Sequence, residues 1–298
     1  MTLIKKINYL KSVYKNLKKN PLTTNYAIVC FGKYVYINFL LYFFNREVSF
    51  IFLDTIKIKA KKGDGIVGNF HSILQEPNES LFLLHYLTEE DVFLDIGANV
   101  GHYTLIVASK TEAEVFAIEP VPKTFKSLQV NLSLNKLEDR VKVHNVGLSD
   151  KNGVLFFTDD LATTNRVNLN GKGIEVKVKS IDEYFKDEKL TVIKIDVEGY
   201  EWFVLKGAMT TLKKEITNIV IIELNNSAAN FGIEESKIID FLKDSGFKPY
   251  EYNIFERKLI PLLDKNHKQF NTIFIKDIDL VKQRISIGQK VSLKGCNF

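Results

Sequence analysis

"VFLDIGANVGHYTLIVASK", residues 92–110, changes character halfway along. Val92 to Leu94 is an apolar run of strand type, and the segment from Gly101 onward reads as a helix. Between them lies Asp95-Ile96-Gly97-Ala98-Asn99-Val100-Gly101. A strand ending in an acid, followed by a glycine-bearing turn into a helix, is how α/β proteins present backbone and carboxylate to nucleotide-like ligands.

Outward from this stretch the pattern alternates. "SLFLLHYL" is helical, "EVFAIEP" a strand, "PKTFKSLQVNLSLN" a helix with Phe125, Leu128 and Leu132 on one face, and "VKVHNVGL" a strand. "VLFFT" and "IEVKVKSI" have a period of two and read as an inserted pair of strands. Then follow "TVIKID" (strand), "EWFVLKGA" (helix), "NIVIIEL" (strand), "EESKIIDFLKDSG" (helix), and the strands "FKPYEYN" and "NTIFIKD". Strands alternating with helices of this length predict an α/β, doubly wound, mostly parallel sheet. Ligands of such sheets lie outside the carboxyl ends of the strands. The residues to read first are therefore Asp95 to Gly101, Glu119, Asn145 to Gly147, Asp196 to Glu198, and Glu223.

The turn excludes some ligands. Gly97-Ala98-Asn99-Val100-Gly101 lacks the later glycines of G-x-G-x-x-G, and no G-x-x-x-x-G-K-[ST] occurs, so neither phosphate cradle is present. Two acids remain, Asp95 before the turn and Glu119 at the end of the next strand. Carboxylates suit ribose hydroxyls and cationic groups. S-adenosylmethionine carries a ribose, an ammonium and a sulfonium and no phosphate.

"DIGANVGHYT", "AIEPVPKTFKSLQVNLSLN", "IKIDVEGYEWFVLKGA" and "NIVIIEL" together resemble the FkbM family of S-adenosylmethionine-dependent methyltransferases, over about residues 76 to 276. The resemblance implies the class I methyltransferase (Rossmann-like) fold, with a seven-stranded sheet whose last strand is antiparallel. It implies O-methylation of a hydroxyl on a sugar, glycan or polyketide-like acceptor. It also implies S-adenosyl-L-methionine bound by Asp95, Gly97, Ala98, Asn99 and Gly101 of the turn and by Glu119 and Pro120, with Val146 and Gly147 near the adenine. Gly147 stands where alanine is usual in the family, and His102 inherits no role.

An alcohol attacks a sulfonium methyl well only as its proton leaves, so a general base helps. Asp196, at the end of the fourth core strand, is the first candidate, and Glu198 two residues on is placed to orient the hydroxyl or share the proton. Glu201 reads as a first-turn helix acid. Lys194 shares a strand face with Asp196 because side chains alternate. A buried ammonium needs a partner, so Lys194 is expected either to pair with a carboxylate under the site or to reach along its stem to the sheet end. His144 reads as a strand histidine, and His102 as a second, weaker base candidate. Asp196 with Glu223 has the look of a magnesium pair, but no further ligand is evident and no metal is assigned. Thr163, Thr164, Asn165 and Arg166 fall in the inserted hairpin, over the site mouth.

The rest of the chain bounds the setting. It has 298 residues, 45% hydrophobic, with a net charge of +5. Six lysines and no acid fall in residues 1–20, which leaves −1 for the remainder. A nearly neutral body argues against nucleic-acid binding. Cys30 and Cys296 fit no disulfide or metal spacing, which points to a reducing, cytoplasmic setting. Leu3, Ile7, Leu10, Tyr14 and Leu17 recur at helical spacing among lysines. This basic amphipathic helix either docks its stripe on the body or makes peripheral contact with the acidic inner face of a membrane. Residues 26–44 approach a membrane span, but Lys33 sits mid-run and Asn38 weakens it further, so a buried helix is expected. No secretory signal is evident. The organisation is then an extension of helix and strand over 1–75, a methyltransferase domain over 76–280 and a tail over 281–298. Two other readings are a non-catalytic cofactor-binding scaffold of the same fold and a membrane-surface enzyme for lipid-linked glycans.

Overall fold

The computed structural model describes residues 3–44, 46–159, 165–293 and 296–298. Helices α1 (Leu3–Lys19) and α2 (Ala27–Phe43) lead into the hairpin β1 (Val48–Phe52) and β2 (Ile56–Ala60), then α3 (Gly68–Ser72) and α4 (Pro77–Tyr86). The alternating body follows as β3 (Val92–Ile96), α5 (His102–Lys110), β4 (Glu114–Ile118), α6 (Pro122–Leu134) and β5 (Val141–His144). Strands β6 (Gly147–Leu148), β7 (Gly153–Phe157) and β8 (Ile174–Lys179) form a separate small sheet and are followed by α7 (Ile181–Tyr184). The body resumes with β9 (Val192–Ile195), α8 (Glu201–Lys206), β10 (Ile219–Glu223), α9 (Glu235–Asp244), β11 (Lys248–Asn253), β12 (Lys258–Pro261), β13 (Asn271–Ile275) and α10 (Ile278–Ile287). A short pair, β14 (Ser292–Leu293) and β15 (Cys296–Asn297), ends the chain.

The main sheet runs β12-β11-β13-β10-β9-β3-β4-β5. β5, β4, β3, β9 and β10 are mutually parallel, and β13 is antiparallel to β10. The doubly wound, mostly parallel sheet with an antiparallel last strand is therefore present. It holds eight strands rather than seven, because β12 pairs antiparallel with β11 at the edge. "KLIP" is short and ends in proline, which an edge strand tolerates and which gives little strand signal in the sequence. Chain order reverses between β3 and β9, so the switch point falls where their carboxyl ends meet.

Side-chain alternation divides the core into two layers. Phe93, Val115, Ala117, Val192, Ile219, Ile221, Ile273 and Ile275 face the layer that contains α4, α5 and α10. Leu94, Phe116, Ile118, Ile193, Ile195, Val220 and Ile222 face α8, α9 and the small sheet. Parity then fixes where the strand-end polar residues go. Asp95, Glu119, Lys194, Asp196, Glu223 and Asn271 all share the parity of the first set, so they converge on one face.

Residues 1–75 share the core of the body, apart from a small cluster of Leu17, Ala27 and Cys30 where α1 meets α2. Ile37, Leu41, Phe52, Ile56 and Ile58 join the same cluster as Leu81, Phe93 and Val115. β2 is stitched to α6, where Asn131 Oδ1 accepts from Lys59 N and Asn135 Oδ1 from Lys57 N, both at 2.8 Å. At the other end α10 runs across residue 280, and the Arg257 guanidinium donates to the carbonyls of Gly288 and Gln289, each at 2.9 Å.

Two N-terminal expectations change. The stripe of α1 docks only through its later part: Leu17 is buried and Tyr14 half-buried against α2, while Ile7 and Leu10 are exposed. The stretch 26–44 forms a helix that is not buried. Only 22% of its apolar window lies inside the protein. Ala27, Cys30, Ile37 and Leu41 make one inward stripe, and the opposite face meets solvent.

Candidate functional site

A cavity of about 230 Å³ opens where the carboxyl ends of β3, β4, β9 and β10 meet, lined by Asp95, Gly97 to Val100, Glu119, Pro120, Asp196 to Glu198 and Glu223. The turn after β3 forms one wall. Gly97 has φ +80, and a Cβ there would stand 1.8 Å from the Asp196 carbonyl oxygen. Only glycine lets the β3 turn and the end of β9 approach this closely. The Gly97 and Ala98 amides donate to Ile118 O at 3.0 and 2.9 Å, which ties the turn to β4. Asn99 is left-handed (φ +55), and its amide donates to Glu119 Oε2 at 3.0 Å. The Val121 amide donates to Glu119 Oε1 at 2.9 Å. Burial pushes the Glu119 carboxyl up to about 7, against the pull of these two amides and with help from the Asp95 charge.

S-adenosylmethionine fits this wall. Glu119 is buried at the cavity, and each of its oxygens already takes one amide and retains a lone pair for a hydroxyl. The carboxylates around the cavity favour hydroxyl and cationic groups over phosphate. Asp95 is less free. Its Oδ2 accepts from the Thr104 amide at 3.0 Å and the Thr104 hydroxyl at 2.6 Å, capping α5 from the strand. Burial raises it to about 6. Gly101 (φ +103) starts that helix, and a Cβ there would meet Leu128 Cδ1 at 2.8 Å. Val146 and Gly147 do not line the cavity. Val146 lies in the core, and Gly147 pairs with Val178 of β8.

The opposite wall carries the acids after β9. Lys194 is fully enclosed (0% exposed), in register between Asp95 of β3 and Ile221 of β10. Its Nζ lies 3.3 Å from Asp196 Oδ2 and 5.4 Å from the centre of the Tyr103 ring. Of the two expected arrangements, the ammonium–carboxylate pair is formed. Burial alone would depress the Lys194 pKa, but the Asp196, Glu76, Glu223 and Asp95 carboxylates outweigh it and the net shift is upward. Asp196 keeps 31% of its side chain exposed, toward the cavity. Glu198 has φ +54, a strained conformation for a non-glycine residue. Burial and then the Asp196 charge raise it to about 7, with Arg166 of the inserted hairpin opposing. Asn165 of the same hairpin lines the cavity. Thr163 and Thr164 lie outside the described residues. Burial and then Asp196 push Glu223 up to about 9. Glu201 is buried and accepts from the Val197 and Gly199 amides at 3.3 and 3.0 Å, so it orders the loop that carries Glu198. Among the described residues no three or more His, Cys, Asp or Glu side chains are arranged to hold a metal ion. The Lys194 ammonium is the positive charge inside this acidic cluster.

Sequence reasoning missed Glu76. It is left-handed (φ +46) just ahead of α4, accepts from Tyr103 Oη at 2.8 Å and from Asn271 Nδ2 at 3.1 Å, and lines the cavity. Its only local signal is the following Pro77, which starts a helix without saying where the carboxylate points. Gln75 and Glu76 also end a larger groove of about 1000 Å³, which carries Asn20, Asn253, Gln269 and the rings of Phe255 and Phe270. His102 is a neutral bridge. Asn69 Oδ1 accepts from the Gln75 amide, so Asn69 Nδ2 donates to His102 Nδ1 at 3.0 Å, and Nε2–H faces Ser80 Oγ at 3.2 Å. Burial lowers its pKa to about 3, and both ring nitrogens are engaged. His144 packs against Phe116 and meets Tyr184 Oη at 2.8 Å.

Residues 95–249, just over half of the chain, match the Methyltransferase FkbM domain family. The chain is 35% identical over 149 residues to the hexuronic acid methyltransferase AglP of Haloferax volcanii, covering 48% of this chain and 59% of that protein's length. It is 27% identical over 199 residues to methyltransferase sdnD of Sordaria araneosa, covering 54% of this chain and 75% of that one. Among solved structures, methyltransferase FkbM from Methylobacillus flagellatus KT aligns with a TM-score of 0.43 at 18% identity, over 75% of this chain and 56% of that one. By the match over residues 95–249, the chain belongs to the FkbM family of methyltransferases.

Proposed function

We propose that this protein is an S-adenosylmethionine-dependent O-methyltransferase acting on a hydroxyl of a sugar or glycan. The observation that carries the reading is the single cavity in which Glu119 and the Gly97–Asn99 turn face Asp196 and Glu198. The cofactor, when bound, supplies a methyl group on a sulfonium as the electrophile. Glu119 would accept from the ribose diol, and the turn would set the cofactor's depth. Asp196 would take the acceptor's proton. Lys194 fixes the Asp196 carboxylate at 3.3 Å and offsets the negative charge around it. Glu198 would orient the acceptor hydroxyl or relay the proton. The larger groove gives an acceptor room beyond Glu76, and its amides and two phenyl rings are groups that recognise hydroxyls and apolar ring faces. The name of the AglP relative, a hexuronic acid methyltransferase, is the further support for a sugar.

Calorimetric titration with S-adenosylmethionine tests the first half of this reading. Labelled methyl transfer to oligosaccharides ending in glucuronic acid or glucose tests the second. Binding followed by transfer to a sugar hydroxyl is expected. Cofactor binding with no transfer to any sugar hydroxyl would leave the scaffold reading in its place, and absence of cofactor binding would overturn both.

A further inference from the structure

The feature that the site does not use is the outer face of α2. Ile28, Val29, Gly32, Val35, Tyr36, Phe39, Tyr42 and Phe43 fall opposite the inward stripe at 100° per residue, and none carries a charge or an amide. Ile28 and Phe43 are each 76% exposed, and Val29, Val35, Tyr36, Phe39 and Tyr42 are exposed as well. Phe39, Phe43 and Phe44 form one aromatic cluster with ring centres 5.1 to 5.7 Å apart. A continuous apolar face of this kind marks an interaction surface.

Charge says what covers it. Residues 1–46 contain Lys5, Lys6, Lys11, Lys15, Lys18, Lys19, Lys33 and Arg46 and no acid. At the rim of the face, Lys62 Nζ lies 4.4 Å from the centre of the Tyr42 ring, and the Arg46 guanidinium lies 5.9 Å from that of Phe44. Lys11, Lys15, Lys18 and Lys19 on the adjoining α1 are exposed. An apolar, aromatic face beside a wholly cationic stretch complements an anionic lipid surface.

We propose that α2 lies in the plane of an anionic membrane surface, with its Ile28–Phe43 face among the acyl chains and the lysines of α1 among the headgroups. The helix lies on the membrane rather than across it. Ala27, Cys30, Ile37 and Leu41 are buried against the rest of the chain, and Lys33 Nζ sits 5.9 Å from the centre of the Phe70 ring. Spanning would strip that inward stripe from the core. The arrangement has a use for the site. A cleft of about 470 Å³ is lined by Tyr9, Tyr34 and Tyr42 of α1 and α2 and by Gln75 and Glu76, which also line the cavity.

The test is flotation of the full chain with vesicles of equimolar phosphatidylglycerol and phosphatidylcholine. The combined variant Ile28→Glu, Phe39→Glu, Phe43→Glu is run beside it. The three side chains are exposed, so the variant should keep the wild-type melting temperature and circular dichroism. Wild type should float at low salt and release as salt rises, with affinity reduced roughly tenfold or more in the variant. Separately, Phe39→Trp emission should shift to the blue when vesicles are added. Equal flotation of wild type and variant, or none by either, overturns the proposal. So does resistance to alkaline carbonate extraction, which would mean a spanning helix. A concentration-dependent dimer that the variant abolishes, without vesicle binding, would assign the face to a second copy of the chain and also overturn it.

Discussion

Replacing Lys194 by methionine removes a buried ammonium and keeps most of its volume. Lys194 is wholly enclosed, 3.3 Å from Asp196, and feels the carboxylates of Glu76, Glu223 and Asp95. Breaking a buried ion pair from one side costs about 3–5 kcal/mol. Asp196 retains 31% exposure, so water takes up part of its charge and the lower end of that range applies. A loss of about 3 kcal/mol lowers Tm by roughly 6–12 °C. The sign of the pH dependence follows from the acids left behind. Asp95 is already raised to about 6 and Glu223 to about 9. Without the ammonium both move higher. A group raised in the folded state gives its full stability below its unfolded pKa and loses it as pH rises through the folded one. The gap between wild type and variant should therefore be small near pH 4, where these carboxyls are protonated in the folded form of either protein, and should widen through pH 8. Thermal unfolding followed by circular dichroism at pH 5 and pH 8 reads this directly. A gap that stays constant, or a variant as stable as wild type at pH 8, would refute the assignment of Lys194 as the counter-charge of this face.

Three further outcomes follow from the same geometry. Glu119→Gln should weaken S-adenosylmethionine binding by about 1.5–3 kcal/mol. In the wild type, affinity should rise with pH up to about 7, where the raised Glu119 carboxyl ionises, at no more than roughly tenfold per pH unit; calorimetry across pH 6 to 8 checks both. Gly97→Ala should cost about 2–5 kcal/mol and abolish cofactor binding, because its Cβ would meet Asp196 O at 1.8 Å. Gly232→Ala, at φ +71 with open space around it, should cost only about 1–2 kcal/mol, and equal thermal shifts for the two variants would remove the steric argument. Asp196→Asn should lower turnover by roughly 10²–10⁴ with cofactor affinity within a few-fold, while near-normal turnover, coupled with a large loss in Glu198→Gln, would move the proton to Glu198.

The strand-end acids were legible because a strand alternates strictly. Once Val92–Ile96, Val192–Ile195 and Ile219–Glu223 are read as neighbouring parallel strands, Asp95, Lys194, Asp196 and Glu223 must share a face; whether Lys194 pairs with a carboxylate or reaches to the sheet end was open in the sequence, and the structure shows the pair. Val146 and Gly147 came from their place at a strand end and from the family likeness; the structure puts Gly147 in the small sheet beside Phe157, which lines the cavity, while neither residue lines it itself. Glu76 was not legible, because its direction depends on a left-handed residue and on Tyr103 and Asn271, which lie far away in sequence. The exposure of α2 was hidden for a related reason. Apolar composition says that a helix avoids water, and the side that another element covers is decided by tertiary packing.

The division between legible and illegible residues follows the division of the site. The segment that matches the family, residues 95–249, contains the Gly97 turn, Glu119, Lys194, Asp196, Glu198 and Glu223. Glu76 and Asn271 fall outside it, as do Asn20 and the 251–271 stretch of the larger groove. The side proposed to hold the methyl donor is thus built from the shared segment, and the side proposed to hold the acceptor is built largely from what flanks it. Exchanging the flanking residues should change which acceptor is taken while leaving cofactor affinity alone. On this reasoning Asn271→Ala, which removes a donor from Glu76 Oε1 at 3.1 Å without touching Glu119 or the turn, should act on the acceptor's KM and not on S-adenosylmethionine binding.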